Sequence, residues 1–396
     1  MGAQHGAALA PLVRRAVRDF IVASDRLFET PNDRIRQNLE TLDRFVPDEY
    51  RVEMQALADA AGVTYEDILA LNTFLDTDGI VESEKSYCIN LVAFGPATAD
   101  GRLLHGRNLD FPAGEVAEKA AAVFLYRPQG ISAKRPDAHE PRRDSSTSPL
   151  ANARDSARND CYGACEGGAD NSSASFLSVA WAGFIGALTG MNEHGLTVTE
   201  ISSRTRHVSP EGVPLMLLLR MILQYASDIE EAIEIIRSTP RTAGFNITLT
   251  DWRVPEAVCV EFDAERVGIR RARRSVLVVS ENRLTPALSP GQRLSPSGVA
   301  RHIRAHDLAD QHYGRITPEV MIEILRDRWD AVYRRHGKSH NCLCSNETVQ
   351  SVVFLPEERR AWISNRRLPA PDGEYAKYRL VRGAEAARPT PAATRE

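Results

Sequence analysis

The chain opens with MGAQHGAALAPLVRRAVRDF, which holds only a short apolar run before Arg14 and Arg15 and no charged segment ahead of it. Neither a secretory signal nor a membrane span is built this way, so a cytoplasmic protein with no membrane partner is expected. An excess of charge of either sign is also missing. Lys and Arg number 49 against 53 Asp and Glu, a net charge of -4, which argues against an electrostatic binder of nucleic acid. Cysteine is scarce as well. Six in 396 residues do not make a disulfide framework, and neither Cys161 with Cys165 nor Cys342 with Cys344 has the C-x-x-C pairing of a structural zinc site. No metal or cofactor is expected.

Large apolar side chains are almost absent from one internal stretch, residues 129–174, which is dense in Ser, Asp, Arg, Gly and Pro. Such a segment cannot bury enough surface to offset its ordering entropy, and it reads as an inserted, disordered loop. The rest of the chain is patterned. Up to about residue 76, apolar residues recur at helical spacing; Gly62 ends one helix, and Thr64 with Asp67 resembles a capping box. After Cys88 the texture changes to strands: INLVAFG, LLHGRNLDF, AVFLYRP, then two strands in FLSVAWAGFIGALTGMNEHGLTVTEIS meeting at a turn over Asn192–Gly195. PLMLLLRMILQYASDIEEAIEIIRS predicts a helix pair split at a Ser227-x-x-Glu230 box, the first helix buried all round. Four more strands, helices over about 297–329 and a hairpin turning at Pro356–Glu358 complete the pattern. Strands arrive as adjacent hairpins rather than alternating with helices, which predicts an α+β fold of antiparallel sheets with helices outside.

Cys88 stands where the texture switches. A cysteine at the head of a buried strand is ordinarily a small core hydrophobe. A nucleophilic one needs a base and a stabiliser of developing negative charge. The second strand, returning antiparallel, would bring Arg107 and Asp110 back towards Cys88; the plainer alternative for these two is a surface ion pair.

The run from Cys88 to Phe111, closed by GRNLDF, resembles the N-terminal nucleophile hydrolases of the acyl-CoA:6-aminopenicillanic-acid acyltransferase family, relatives of bile salt hydrolase, penicillin V acylase and acid ceramidase. Three further stretches resemble that family in the same order: AWAGFIGALTGMNEHGL, VVSENRL and TVQSVVFLPEERRAWISN. The resemblance spans about residues 50–380 without the insertion and implies a four-layer αββα sandwich. It also implies that the Tyr87–Cys88 bond is cut, making residues 1–87 a helical propeptide or small subunit, 88–380 the catalytic domain and 381–396 a disordered tail.

In this resemblance Cys88 is the nucleophile, Asp110 holds the freed α-amine, Arg107 stabilises the thiolate or orients Asp110, Asn282 donates to the oxyanion and Asn192 is a second polar group beside the acyl carbonyl. The exposed α-amine, with a reference pKa of about 7.7–8.0, could serve as base to its own thiol. Without the resemblance, Asn192 reads as a turn residue and Asn282 as a cap. Two positions depart from the pattern: Ile89 follows the nucleophile, and Ser345 stands where some relatives carry Arg. The implied activity is hydrolysis or transfer of the acyl group of a linear amide, with a small-molecule amide or acyl donor and an amine acceptor as partners. The rival is a catalytically inactive binding or assembly module on the same fold. His194 reads as a solvated turn residue, and His302, His306 and His312 as an exposed helical face rather than a metal site.

Overall fold

The computed structural model describes residues 1–27, 32–77, 88–111, 114–128 and 173–381. Before Cys88 lie helices α1 (Gly2–Leu27), α2 (Asn32–Asp43), α3 (Asp48–Ala61) and α4 (Tyr65–Thr77). Gly62 closes α3 in the left-handed region (φ 69°), its N–H donating to the Ala58 carbonyl, a conformation that favours residues lacking Cβ. Thr64 and Asp67 then cap α4 reciprocally, at 3.0 and 3.1 Å.

After Cys88 the order is β1 (Ile89–Gly95), β2 (Gly101–Asp110), α5 (Gly114–Ala120), β3 (Ala121–Tyr126), β4 (Phe176–Trp181), β5 (Thr189–Asn192) and β6 (Thr197–Ser202). Next come α6 (Leu215–Tyr225), α7 (Ile229–Ser238), β7 (Phe245–Asp251), β8 (Glu256–Phe262), β9 (Val267–Arg271), β10 (Val276–Val279), α8 (Pro296–Gln311) and α9 (Pro318–Leu325). A short hairpin, β11 (Trp329–Asp330) and β12 (Arg335–His336), precedes β13 (Thr348–Leu355), β14 (Arg360–Ser364) and β15 (Ala376–Arg379). Two details differ from the sequence expectation. The segment from Phe176 forms three strands rather than two, and the cap of α7 is Asp228, which accepts from the Glu231 N–H, while Ser227 bonds the Glu231 carboxylate.

The strands form one sheet ordered β10-β1-β2-β13-β14-β15 and another ordered β3-β4-β5-β6-β7-β8-β9. Every neighbouring pair within them is antiparallel. Period-two alternation divides each strand between two cores. In β13, Val352 and Phe354 join Leu177, Val179 and Met191 between the sheets, whereas Val353 and Leu355 pack outward with Met321 and Leu325 of α9. Full burial of one such side chain contributes roughly 1.5–3 kcal/mol. Gly106 lets α9 approach, because a Cβ there would stand 2.7 Å from the Met321 sulfur.

Helices α8 and α9 cover one sheet and α6 and α7 the other, giving the αββα sandwich. The helices before Cys88 then cover α6, which is buried from Leu215 to Gln224; this outer helical layer explains why α6 is apolar on nearly all sides. No helix among the described residues is long and apolar enough to cross a membrane.

Candidate active site around Cys88

The β1–β2 register opposes Ile89 to Asn108 and Asn90 to Arg107. Alternation therefore turns Cys88 and Arg107 towards the other sheet, and Asn108 and Asp110 towards the α8 and α9 side. Their contacts agree: Arg107 donates to Glu200 at 2.9 Å and to the Leu188 carbonyl, while Asn108 donates to the carbonyls of Leu325 and Leu343.

Cys88 is only 4% exposed, and its thiol lies 3.9 Å from the Asp110 carbonyl oxygen. Its own carbonyl accepts a 2.8 Å hydrogen bond from Arg301, reaching in from α8. Burial foremost, then the Glu200 charge, pushes the thiol up to about 12, against the pull of Arg107. At neutral pH the sulfur is protonated, so a thiolate nucleophile here needs a base within reach.

Asp110 is also buried. It accepts from Ser345 at 2.9 Å and from Thr348 at 2.6 Å. Burial raises its carboxyl to about 6, while Arg301 and the two hydroxyls hold it down. Arg107 is not the surface residue of the plainer reading, nor does it bond Asp110. It is fully buried, paired with Glu200 and close enough to act on the Cys88 thiol. The resemblance implies a positive charge at position 345 that Ser345 does not supply. A cation is nonetheless present, because Arg301, paired with Glu281 at 2.6 Å, stands at Cys88 and within electrostatic reach of Asp110.

The two asparagines are placed differently. The Asn282 amide accepts from the Ser295 N–H at 2.8 Å and donates to the Ser295 carbonyl at 3.2 Å, clamping the residue that caps α8. Asn192 donates to the carbonyls of Leu223 and Ala226 and accepts from the N–H groups of His194 and Leu196, with Gly195 at φ 83° completing the turn. All its hydrogen-bonding groups face backbone. It closes β5 four residues beyond Leu188, where Arg107 bonds, a separation on the order of 13 Å along the strand. The structure thus gathers Cys88, Arg107 and Asp110, and holds Asn192 at the far end of β5.

Glu200, Arg301, Glu281 and Thr348 belong to this cluster and were not picked out from the sequence. The available signal was weak: Glu200 lies in a strand that already carries Thr197, Thr199 and Ser202, and Arg301 is one of two arginines in its helix. Of the remaining sequence readings, Tyr87, Cys161, Cys165, the insertion over 129–172 and the tail from 382 lie outside the described residues. His302 and His306 are half-buried rather than an exposed face, with rings 4.9 Å apart and His302 lowered by burial to about 4. His194 is likewise half-buried, its carbonyl accepting from the Trp252 indole.

The family model described as acyl-coenzyme A:6-aminopenicillanic acid acyl-transferase matches residues 160–367, more than half of the chain. The match takes in Glu200, Asn282, Arg301 and Ser345 and begins after Cys88. Protein dcd1A of Dictyostelium discoideum is 27% identical over 229 residues, covering 57% of this chain and 43% of dcd1A. A protein of Archaeoglobus fulgidus is 22% identical over 298 residues, 68% of this chain and 43% of that one. The chain thus spans less than half the length of these curated relatives. Among solved structures, the Caenorhabditis elegans N-acylethanolamine-hydrolyzing acid amidase ortholog matches with a TM-score of 0.43 at 15% identity, covering 68% of this chain and 93% of that one.

Proposed function

The chain belongs to the acyl-coenzyme A:6-aminopenicillanic acid acyl-transferase family, and from that premise we propose that it is a self-processing cysteine amidohydrolase or acyltransferase acting on a linear amide. The observation that carries the reading is a buried thiol within electrostatic reach of the Arg107–Glu200 pair and of the Asp110 carboxyl, 3.9 Å from the Asp110 main-chain carbonyl.

In the processing step the Cys88 sulfur attacks the Tyr87 carbonyl carbon, the bond to the Cys88 nitrogen breaks, and a thioester forms while that nitrogen takes the thiol proton. Water then releases the Tyr87 carboxylate and regenerates the thiol. The product has what the uncut chain lacks, an α-amine near its working pKa on the nucleophile itself. The amine takes the thiol proton, and the resulting ammonium favours the thiolate. Asp110, under the opposing charges of Arg301 and Glu347, is the proposed acceptor for that ammonium.

In turnover the thiolate attacks the amide carbonyl, the amine leaves with the proton, and an acyl-Cys88 thioester remains for water or a second amine to resolve. Arg107 opposes the negative charge at sulfur. Asn282 is the proposed side-chain donor to the oxyanion, exchanging its 3.2 Å bond to the Ser295 carbonyl for the substrate oxygen. Asn192 acts by shaping the β5–β6 turn rather than by touching the acyl carbonyl.

Intact-mass measurement of purified protein tests the reading. A fragment beginning at Cys88 is expected from the wild type and one unbroken chain from Cys88→Ala. Quenched turnover should place the acyl group on the Cys88 peptide. Active but uncut wild type, or an acyl group on another residue, would overturn it.

A further inference from the structure

Cutting before Cys88 would leave that residue held by one peptide bond instead of two, so the residue that carries both nucleophile and base would lose half of its covalent restraint. The structure supplies a second hold. Arg301 of α8, fully buried, donates to the Cys88 carbonyl at 2.8 Å and to the Glu281 carboxylate at 2.6 Å. The Cys88–Ile89 peptide is planar. Holding its oxygen therefore fixes its plane, and the amine and the sulfur keep only the rotations about the Cys88 Cα bonds.

Glu281 is itself held in place. The antiparallel register that opposes Asn90 to Val279, carried on by two residues, brings Glu281 level with Cys88. From the other sheet, fully buried Asn246 donates to the carbonyls of Ser280 at 2.8 Å and Asn282 at 3.2 Å, fixing the chain on both sides of Glu281. The Ser295 hydroxyl, at the cap of α8, donates to Glu281 at 2.7 Å. Gly298 lets the first turn of α8 lie this close, because a Cβ there would stand 2.6 Å from the Glu281 carboxyl carbon and 2.7 Å from the Asn282 amide nitrogen.

On the reading that the Tyr87–Cys88 bond is cut, we propose that Arg301, backed by Glu281, is a positioning residue that anchors the new N-terminus through the Cys88 carbonyl and acts by its charge on Asp110. Glu281 neutralises the guanidinium, so the anchor adds no net charge against the ammonium at Cys88. Around Asp110 stand Arg301, Glu347, the Cys88 and Cys344 thiols and the hydroxyls of Ser345 and Thr348. Of these Arg301 is the cation, and it favours the ionised carboxylate that is to receive the ammonium.

Self-cleavage of the full chain, followed by intact mass, and turnover of N-acyl aminomethylcoumarin amides by the cut enzyme, measured separately, test this. Arg301→Met combined with Glu281→Gln removes the anchor without burying a lone charge and keeps an acceptor for Ser295. Before the cut Cys88 is still tethered on both sides, so cleavage should proceed near the wild-type rate. In the cut enzyme kcat should fall by roughly a hundredfold with KM little changed. Alkylation of Cys88 by iodoacetamide should set in at higher pH, because Asp110 has lost the cation that favours its charged form. Arg301→Lys keeps the charge without the guanidinium fork; kcat should fall while the onset of alkylation stays in place. Equal loss of cleavage and turnover would make Arg301 structural only, and an unchanged kcat would remove the anchor; either result overturns the proposal. If the double variant fails to fold, Arg301→Lys decides on the same readouts. Wild type that stays uncut overturns the reading this rests on, and does so before any variant is made.

Discussion

The Arg107–Glu200 and Arg220–Glu53 pairs are made of the same two side chains, at 2.9 and 2.6 Å, and both are buried. Their surroundings differ. Arg220 lies over the rings of Tyr50, Tyr126 and Phe176, at 4.6, 4.8 and 5.8 Å, and donates to the Ile185 carbonyl. Ring faces satisfy a cation without titrating, so this pair joins α3, from before Cys88, to α6 and does nothing else visible. Arg107 has a thiol within electrostatic reach instead, and Glu200 opposes it there. A buried ion pair is therefore weak evidence of chemistry on its own; its neighbours decide.

The largest effect should come from separating the two roles by mutation. Arg107→Met is expected to lower turnover on the order of a hundredfold or more, as for loss of a charge-stabilising donor. Arg220→Met should leave turnover per folded molecule unchanged. Steady-state kinetics on the two variants would break the comparison if Arg220→Met lost activity and Arg107→Met kept it.

Stability should rank the other way. Glu53→Gln leaves the Arg220 charge buried without its partner, which is expected to destabilise by about 3 kcal/mol. Chemical denaturation reads this directly, and a change near zero would mean that the ring faces alone hold Arg220.

The difference between these pairs also marks what could be read from the sequence. The helix-to-strand switch, the Thr64–Asp67 cap, the buried α6 and the hairpin through Pro356 were legible because each rests on local spacing or on one residue's backbone preference. Cys88, Arg107 and Asp110 could be placed together because one hairpin carries all three. Glu200 and Arg301 could not, since they reach the site from β6 and α8 through packing between layers. Asn192 shows a related limit: the same Gly-bracketed turn suits a catalytic amide and a residue whose side chain bonds backbone, and local sequence does not distinguish them.

A smaller effect tests the opposition inside the Arg107–Glu200 pair. Because Glu200 pushes the Cys88 thiol up and Arg107 pulls it down, Glu200→Gln should speed alkylation of Cys88 by iodoacetamide at fixed pH. Arg107→Met should slow it. Each unit of pKa changes the thiolate fraction about tenfold. Peptide mass spectrometry gives the rates, and movement of both variants in one direction would remove the assigned roles.

The smallest effect concerns two carboxyls, one in each region. Asp76, at the end of α4, accepts from the Leu215 N–H at 3.0 Å and from Thr242 at 2.5 Å, and burial raises it to about 7, against those bonds. Asp110 in the site is raised to about 6. A carboxyl raised on folding binds more protons in the native than in the unfolded state between its unfolded and folded pKa values. Stability should therefore fall as pH rises from about 4 towards 6 for Asp110 and towards 7 for Asp76, each at no more than about 1.4 kcal/mol per pH unit. Asp76→Asn keeps an acceptor for Leu215 and removes the ionisation, so it should flatten the part of the profile between 6 and 7 that Asp110 does not reach. Urea midpoints measured across that range decide it. An unchanged slope would mean that the charge on Asp76 is already relieved by solvent at the α4–α6 boundary.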